Sequence, residues 1–282
     1  MALSEPGTTF CRALALLALG ALLIACQTPA PRPLESADRA SVAAVSDPSC
    51  LAPQPDGTSA SEQQSRLAQA LLRAAFRGDH PCVDQMIRAG AEVDAQLPDG
   101  TSALGLAAAQ GQIEVIQALL AAGARIDLAN RAGVTPLSAA AGSNQAAAMS
   151  RLLQAGADVH LVSVQGWSAL HHAIAGCHLA PTRLLLATGI DVDQADGHGN
   201  TALLLAAAVC PDSIPLLLDH GADIEHREIQ GMTALLVAAQ NGQAEAVELL
   251  LARGADPGHR DLRGRDYRQW AALAANTPSM AR

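Results

Sequence analysis

The chain alternates between alanine-rich and leucine-rich apolar segments along most of its length. The alanine-rich segments read ALGLAAA, PLSAAAG, ALHHAIA, ALLLAAA and ALLVAAQ, and the leucine-rich segments that follow them read VIQALLAAG, AMSRLLQAG, TRLLLATG, PLLLDHG and AVELLLARG. Alanine and leucine are strong helix formers. The pattern predicts pairs of short helices, in which the small alanine side chains let the two helices of a pair approach closely.

Two series of glycines fix the length of the repeating unit. The first is Gly100, Gly133, Gly166, Gly199, Gly231 and Gly264, and the second is Gly90, Gly123, Gly156, Gly189, Gly221 and Gly254. Both have spacings of 33, 33, 33, 32 and 33 residues. We predict five full repeats over residues 98–261, with an N-terminal cap at 63–97 and a C-terminal cap at 262–282, stabilised by stacking on one another.

The residues after the first glycine series resemble a known repeat signature. Thr135-Pro136-Leu137 and Ser168-Ala169-Leu170-His171 resemble the T-P-L-H-x-A motif of ankyrin repeats, which also have a period of about 33 residues. The resemblance covers about residues 65–276. It implies an all-α solenoid of helix-turn-helix pairs joined by hairpin-like fingers, with a half-matched first unit at Ser65–Gly90 whose second helix is Pro81–Ala89.

The N-terminal residues predict export. The apolar run from Ala13 to Ala25 follows Arg12, is too short to span a membrane and is typical of a signal peptide, assigned here to residues 1–25. The run ends in Leu23-Ile24-Ala25-Cys26, which resembles the lipobox of bacterial lipoproteins and implies cleavage before Cys26 and its acylation. An ordinary signal peptide is the alternative. In that family Gln27 after the cysteine favours the outer membrane, so we expect a lipid-anchored periplasmic protein.

Residues 26–62 are rich in Pro, Ala and Ser and show neither a helical nor a strand period. Such a segment has too little apolar surface to fold alone, so we predict a flexible tether between the lipidated cysteine and the repeats.

Four cysteines remain after the signal peptide and Cys26 are set aside. An even number in an oxidising compartment suggests two disulfides. Cys177 and Cys210 hold the same position in adjacent repeats. Repeats stacked about 10 Å apart hold such residues too far from each other for a disulfide. The repeat that contains Cys210 is one residue shorter than the others, however, and this deletion could draw the two cysteines together. Cys50 with Cys82 would join the tether to the N-terminal cap, and four free thiols are the alternative.

Composition and motifs exclude several classes of function. Aromatic residues make up only 2% of the chain, too few for a β-sandwich or barrel core, and the formal net charge of -9 lacks the basic footprint of a nucleic-acid-binding protein. No nucleophile elbow, phosphate-binding loop or Cys-x-x-Cys pair is present, and the Asp191, Asp193 and Asp196 spacing does not fit a calcium loop. We predict no catalytic residue, cofactor, metal or small-molecule substrate.

The resemblance to ankyrin proteins implies a binding surface for another protein on the finger tips and first helices. Several of the variable positions there are large and apolar, and Trp167 is one of only two tryptophans, a residue type enriched where binding energy concentrates. The alternative is that Trp167 packs against the neighbouring finger. The candidate partner-binding residues are Arg131, Val134, Val162, Val164, Trp167, His198, Arg227, Ile229, Met232 and Arg263.

The sequence therefore predicts a protein–protein interaction module in the cell envelope, not an enzyme. Two narrower hypotheses stay open: an immunity-type inhibitor of a periplasmic toxin, and an accessory protein for oxidative-stress defence. The partner itself cannot be named, because specificity lies in surface side chains and not in the fold.

Overall fold

The computed structural model describes residue 50 and residues 59–276, in which thirteen α-helices and one short 3₁₀ helix follow one another. They form six consecutive pairs and a last single helix. The bounds are α1 Ala60–Arg77, α2 His80–Arg88, α3 Ala103–Gln110, α4 Ile113–Ala121, α5 Pro136–Gly142, α6 Ala146–Gln154, α7 Ala169–Ala175, α8 Leu179–Leu186, α9 Ala202–Val209, the 3₁₀ helix Pro211–Ser213, α10 Ile214–Asp219, α11 Ala234–Gln240, α12 Ala244–Ala252 and α13 Tyr267–Asn276.

The helices form two layers. The first helices of the pairs pack on one another in chain order from α1 to α13, and the second helices α2, α4, α6 and α8 continue through the 3₁₀ helix to α10 and α12. Each layer contributes one fully buried column to a continuous core. The first-helix column is Leu71, Leu104, Leu137, Leu170, Leu203 and Leu235, and the second-helix column is Met86, Leu119, Leu152, Leu185, Leu217 and Leu250. No single repeat could bury these side chains alone, so the predicted all-α solenoid is confirmed.

The first helix begins earlier than the sequence pattern indicates. Helix α1 starts at Ala60, inside the predicted tether, because Ser59 and Glu62 form a reciprocal capping box at its N-terminus. Helix α2 is shifted by one residue from the predicted Pro81–Ala89. Most of the tether, the signal peptide and Cys26 lie outside the described residues.

Neighbouring fingers lie close enough that a Cβ atom at Gly100, Gly133 or Gly166 would collide with the backbone of the next finger. Gly133 has a φ of 78°, and a Cβ atom there would lie 2.8 Å from the backbone nitrogen of Val164 in the next finger. A left-handed turn that also touches the neighbouring backbone requires glycine. All six glycines of the first series share a positive φ, which favours glycine even where the next finger is further away.

Two disulfides join the four cysteines that the sequence paired provisionally. Cys50 is bonded to Cys82 at the start of α2, and Cys177 is bonded to Cys210 across adjacent repeats with a Cα–Cα distance of 5.2 Å. The second bridge lies where one residue is missing: α9 passes into the 3₁₀ helix directly after Cys210, and Pro215 falls in the first turn of α10, where its missing N–H costs nothing.

None of the described helices combines the length and the apolarity needed to cross a bilayer.

Candidate protein-binding surface

The finger tips are linked to one another by one backbone hydrogen bond per repeat. Arg131 N–H donates to Asp99 O at 2.9 Å, Val164 N–H donates to Ala132 O at 2.9 Å, and Gly197 N–H donates to Gln165 O at 2.9 Å. The same bond recurs from Ile229 to His198 at 3.3 Å and from Leu262 to Gln230 at 3.2 Å. The tips therefore form a connected edge in which these five backbone donors are already satisfied.

The donors of these bonds define a first row of side chains along the edge, which we call the tip row: Arg131, Val164, Gly197, Ile229 and Leu262. Val164 is 79% exposed, Ile229 63% and Leu262 79%. Sequence reasoning selected Arg131, Val164 and Ile229 but missed Leu262. Its register, two residues before Gly264 as Val164 is before Gly166, would have identified it.

The residue after each tip-row residue forms a second row, which we call the polar row: Ala132, Gln165, His198, Gln230 and Arg263. Gln165 and Arg263 are exposed, and His198 and Gln230 are half-buried. Of the predicted binding residues, His198 and Arg263 lie in this row. Two more, Val162, which is 41% exposed, and Arg227, which is exposed, precede the tip row of their fingers by two residues.

Two of the predicted binding residues are corrected by their burial. Val134 is only 8% exposed and Met232 only 6%. Both directly follow the glycine of their finger, and at this burial they lack the surface to contact a partner.

Trp167 occupies the same position but remains half-buried. Its indole N–H donates to Asp196 Oδ2 in the next finger at 3.3 Å, and its ring centroid lies 5.3 Å from that of His172 in an edge contact. Asp196 Oδ1 in turn accepts the backbone N–H groups of His198 and Asn200, both at 2.8 Å. Trp167 therefore ties two fingers together and presents only part of its ring to solvent.

The exposed charge of the C-terminal finger tips is positive although the whole chain carries -9. Glu228 and Asp261 are buried. Glu228 Oε1 accepts Met232 N–H at 3.0 Å, and Asp261 Oδ1 accepts the backbone N–H groups of Arg263 and Arg265. Burial alone would raise the pKa of Asp261, but hydrogen bonds from Arg265 and from the backbone of Arg263, together with the charge of Arg265, outweigh it and lower the pKa. The two carboxylates thus bind the backbone of their own fingers, while the side chains of Arg227 and Arg263 face solvent.

One buried pair has the residue types of a hydrolase but not its accessibility. Ser168 Oγ lies 2.9 Å from His171 Nδ1, and His171 Nε2 lies 3.0 Å from Asn200 O. Since a carbonyl oxygen can only accept, Nε2 carries the hydrogen and Nδ1 accepts the serine hydroxyl. Both side chains are buried, and burial lowers the pKa of His171. The pair joins the start of α7 to the next finger.

Other clusters in the described residues offer no metal site. No group of three or more His, Cys, Asp or Glu side chains converges there. A shallow groove of about 540 Å³ lies between α2 and α4, bordered by His80, Asp84 and Glu114. It is a seam between two second helices and lies away from the finger tips.

Comparison with known proteins agrees with this architecture. A family model for ankyrin repeats matches three times, over residues 71–163, 147–228 and 211–261. A search of curated protein sequences gives no match.

Two solved structures illustrate the likeness. The crystal structure of the human ASB11 ankyrin repeat domain is 29% identical, covers 71% of this chain and 90% of its own, and superposes with a TM-score of 0.66. The ankyrin repeat domain of Bcl-3, described as a unique member of the IkappaB protein family, is 25% identical, covers 73% of this chain and 97% of its own, and gives a TM-score of 0.63.

Proposed function

The chain belongs to the ankyrin-repeat family, and we propose that it is a protein-binding module held at the bacterial cell envelope by a lipid on Cys26. Ankyrin repeats are general protein–protein interaction modules. The proposed binding surface is the tip row with the adjoining polar row.

The observation that carries the binding proposal is the exposure of Val164, Ile229 and Leu262. Their backbone N–H groups are satisfied by the neighbouring fingers, so a partner can cover these side chains without disturbing the hydrogen bonds between fingers. Fully burying an aliphatic side chain of this size gains about 1.5–3 kcal/mol. A partner that covers all three would therefore have an apolar centre to its interface.

Two features support the location in the envelope. The apolar run that ends in Cys26 resembles a lipoprotein signal. The two disulfides, Cys50–Cys82 and Cys177–Cys210, are typical of proteins that fold in an oxidising compartment.

The binding proposal is tested by cross-linking the full chain in its own cells and identifying the proteins that co-purify. The test variant carries Val164→Asp and Ile229→Asp, which place charge in the proposed apolar centre. We expect one partner to be recovered with the wild type and its yield to fall at least about tenfold with this variant, since charge in a buried interface costs more than 1.4 kcal/mol.

The matched control carries Gln117→Asp and Gln154→Asp, which add the same charge at two exposed positions on second helices, and should retain the partner. A partner that both variants retain would show that binding uses another surface. No partner with any form, in stressed and unstressed cells alike, would contradict the binding function.

A further inference from the structure

The tip row is interrupted at its centre. Gly197 stands between Val164 and Ile229, and a Cβ atom there would meet only Gln165 O, at 3.3 Å. Its φ is not in the left-handed range, and the equivalent residues of other fingers are Arg131, Val164, Ile229 and Leu262. The φ at this position therefore does not require glycine, and a Cβ atom needs a shift of a few tenths of an ångström at Gln165 O. The glycine leaves a notch between two exposed aliphatic side chains.

Hydrogen-bonding groups lie beside the notch. The side chains of Gln165, His198 and Gln230 in the polar row make no hydrogen bond within the described residues, whereas the other finger residues Asp196 and Glu228 are engaged with backbone N–H groups. An amide or imidazole that is unpaired and at least partly exposed beside an apolar row can bond the main chain of a bound segment without loss of an internal hydrogen bond.

Unpaired cations lie at the C-terminal end of the same edge. Arg227 and Arg263 form no ion pair among the described residues, in contrast to Arg265, which is 2.8 Å from Asp261, and Arg260, which is 3.3 Å from Asp266. The nearest acids of the two fingers, Glu228 and Asp261, are buried. A partner that is complementary in charge must therefore bring acidic side chains to this end.

We propose that this edge binds an extended acidic segment of the partner protein, with one aliphatic or aromatic side chain seated in the notch over Gly197. This inference rests on the proposed function and specifies its partner. Adjacent fingers are about 10 Å apart, judged from the packing distance of stacked helices, and an extended chain rises about 3.3 Å per residue. About three residues of the segment pass each finger, so its acidic residues fall about three to six positions from the apolar one.

The test uses the purified full chain and a random library of peptides of about 16 residues, long enough to pass four finger tips. We expect the enriched sequences to share an aliphatic or aromatic residue followed or preceded at that interval by Asp or Glu. A representative peptide is then synthesised, and its affinity is measured by fluorescence anisotropy.

The decisive variant is Gly197→Ile, which fills the notch with the kind of side chain that Ile229 carries at the same register. We expect about tenfold weaker peptide binding, while Gly197→Ala changes it little. Arg227→Glu with Arg263→Glu should weaken binding about tenfold and reduce its salt dependence, whereas Arg151→Glu with Arg183→Glu on the second helices should not. Equal circular dichroism and melting temperature establish that each variant is folded.

The outcomes separate this inference from the function on which it rests. Three results would overturn the inference even if the cellular partner is still captured through Val164 and Ile229. They are enrichment of peptides without acidic residues, absence of any enriched peptide, and unchanged peptide binding to the Gly197→Ile variant. Binding of the wild type, but not of the notch and arginine variants, to vesicles of phosphatidylglycerol and phosphatidylethanolamine would overturn it in favour of a membrane surface. If the wild-type chain captures no partner in cells, the proposed function itself is contradicted.

Discussion

His172 places a polar side chain where the other repeats have aliphatic ones. Its counterparts are Leu106, Ala139, Leu205 and Val237. The ring is buried, and Nε2 has no hydrogen-bond partner. Burial, with a smaller contribution from His171 beside it, lowers the pKa of His172 to about 4. An unpaired buried nitrogen costs about 1–3 kcal/mol. His172 therefore makes this repeat less stable than an aliphatic residue at the same position would.

The depressed pKa of His172 predicts that the protein loses stability in mild acid. The ordinary pKa is 6.5, so between pH 6.5 and about 4 the unfolded chain binds a proton that the folded chain does not. The free energy of unfolding therefore falls as the pH drops through this window, by on the order of 3 kcal/mol when complete. We expect His172→Leu to be more stable than the wild type by about 1 kcal/mol at pH 7.5 and by more at pH 5, as measured by urea unfolding.

The exposed His160 provides the control for this prediction. His160→Leu should leave the pH dependence unchanged, and His171 should keep a residual slope in the His172→Leu variant because burial also lowers its pKa. Parallel pH profiles for the wild type and His172→Leu would show that His172 is not the group that titrates.

At the scale of the helix pair, the turn that follows the first helix differs between the two repeats that the Cys177–Cys210 bridge joins. Gly78, Gly111, Asn144, Cys177 and Gly242 all have positive φ at this turn, and the φ of Cys177 is 52°. Cys210 departs from the series with a φ of -144°, because the shorter repeat leads directly into the 3₁₀ helix. The missing residue and the bridge therefore belong together: the altered path brings Cys210 within reach of Cys177.

Loss of the Cys177–Cys210 bridge should destabilise the solenoid. The bridge closes a loop with a sequence separation of 33 residues, for which the chain-entropy estimate is about 3–4 kcal/mol. The variant Cys177→Gly with Cys210→Ala removes it without strain at residue 177, since glycine accepts the positive φ. Urea unfolding under non-reducing conditions measures the effect.

The second bridge provides a matched control, since Cys50 and Cys82 are separated by 32 residues. Chain entropy predicts nearly the same loss for Cys50→Ala with Cys82→Ala, but that bridge lies at the N-terminal cap and should leave the cooperativity of the central repeats unchanged. Wild-type stability that does not respond to a reducing agent would contradict the role assigned to both bridges.

The helix pairs and their order could be predicted because the same residue pattern recurs in each repeat. The 33-residue period, the leucine columns and the second glycine series all follow from local rules that recur. The path around Cys210 could not be predicted, because one deletion alters a loop whose geometry depends on both neighbours. The burial of Val134 and Met232 was missed for a related reason: the same register exposes part of Trp167, and only packing between finger and helix distinguishes them.

On the scale of the whole molecule, the described residues form a solenoid that buries its own core. The side chains of the first-helix and second-helix columns are buried within the solenoid itself. The exposed apolar residues are concentrated at the finger tips, together with cations on a chain of net charge -9. The proposed anchor at Cys26 precedes the described residues, so we expect anchoring and folding to be separable properties of the chain.

Substitution of Cys26 should therefore release the protein from the membrane without unfolding it. A single acyl chain binds a bilayer only marginally, and stable anchoring takes two or more, all of which a lipoprotein carries on its first cysteine. In fractionated cells we expect the wild type with the membranes and Cys26→Ser in the soluble fraction, with the same melting temperature after purification. Cys11→Ser, the same substitution within the predicted signal peptide, should leave the distribution unchanged. A soluble wild type would favour an ordinary signal peptide, while a Cys26→Ser variant that stays with the membranes would show that the apolar run from Ala13 to Ala25 holds the chain there by itself.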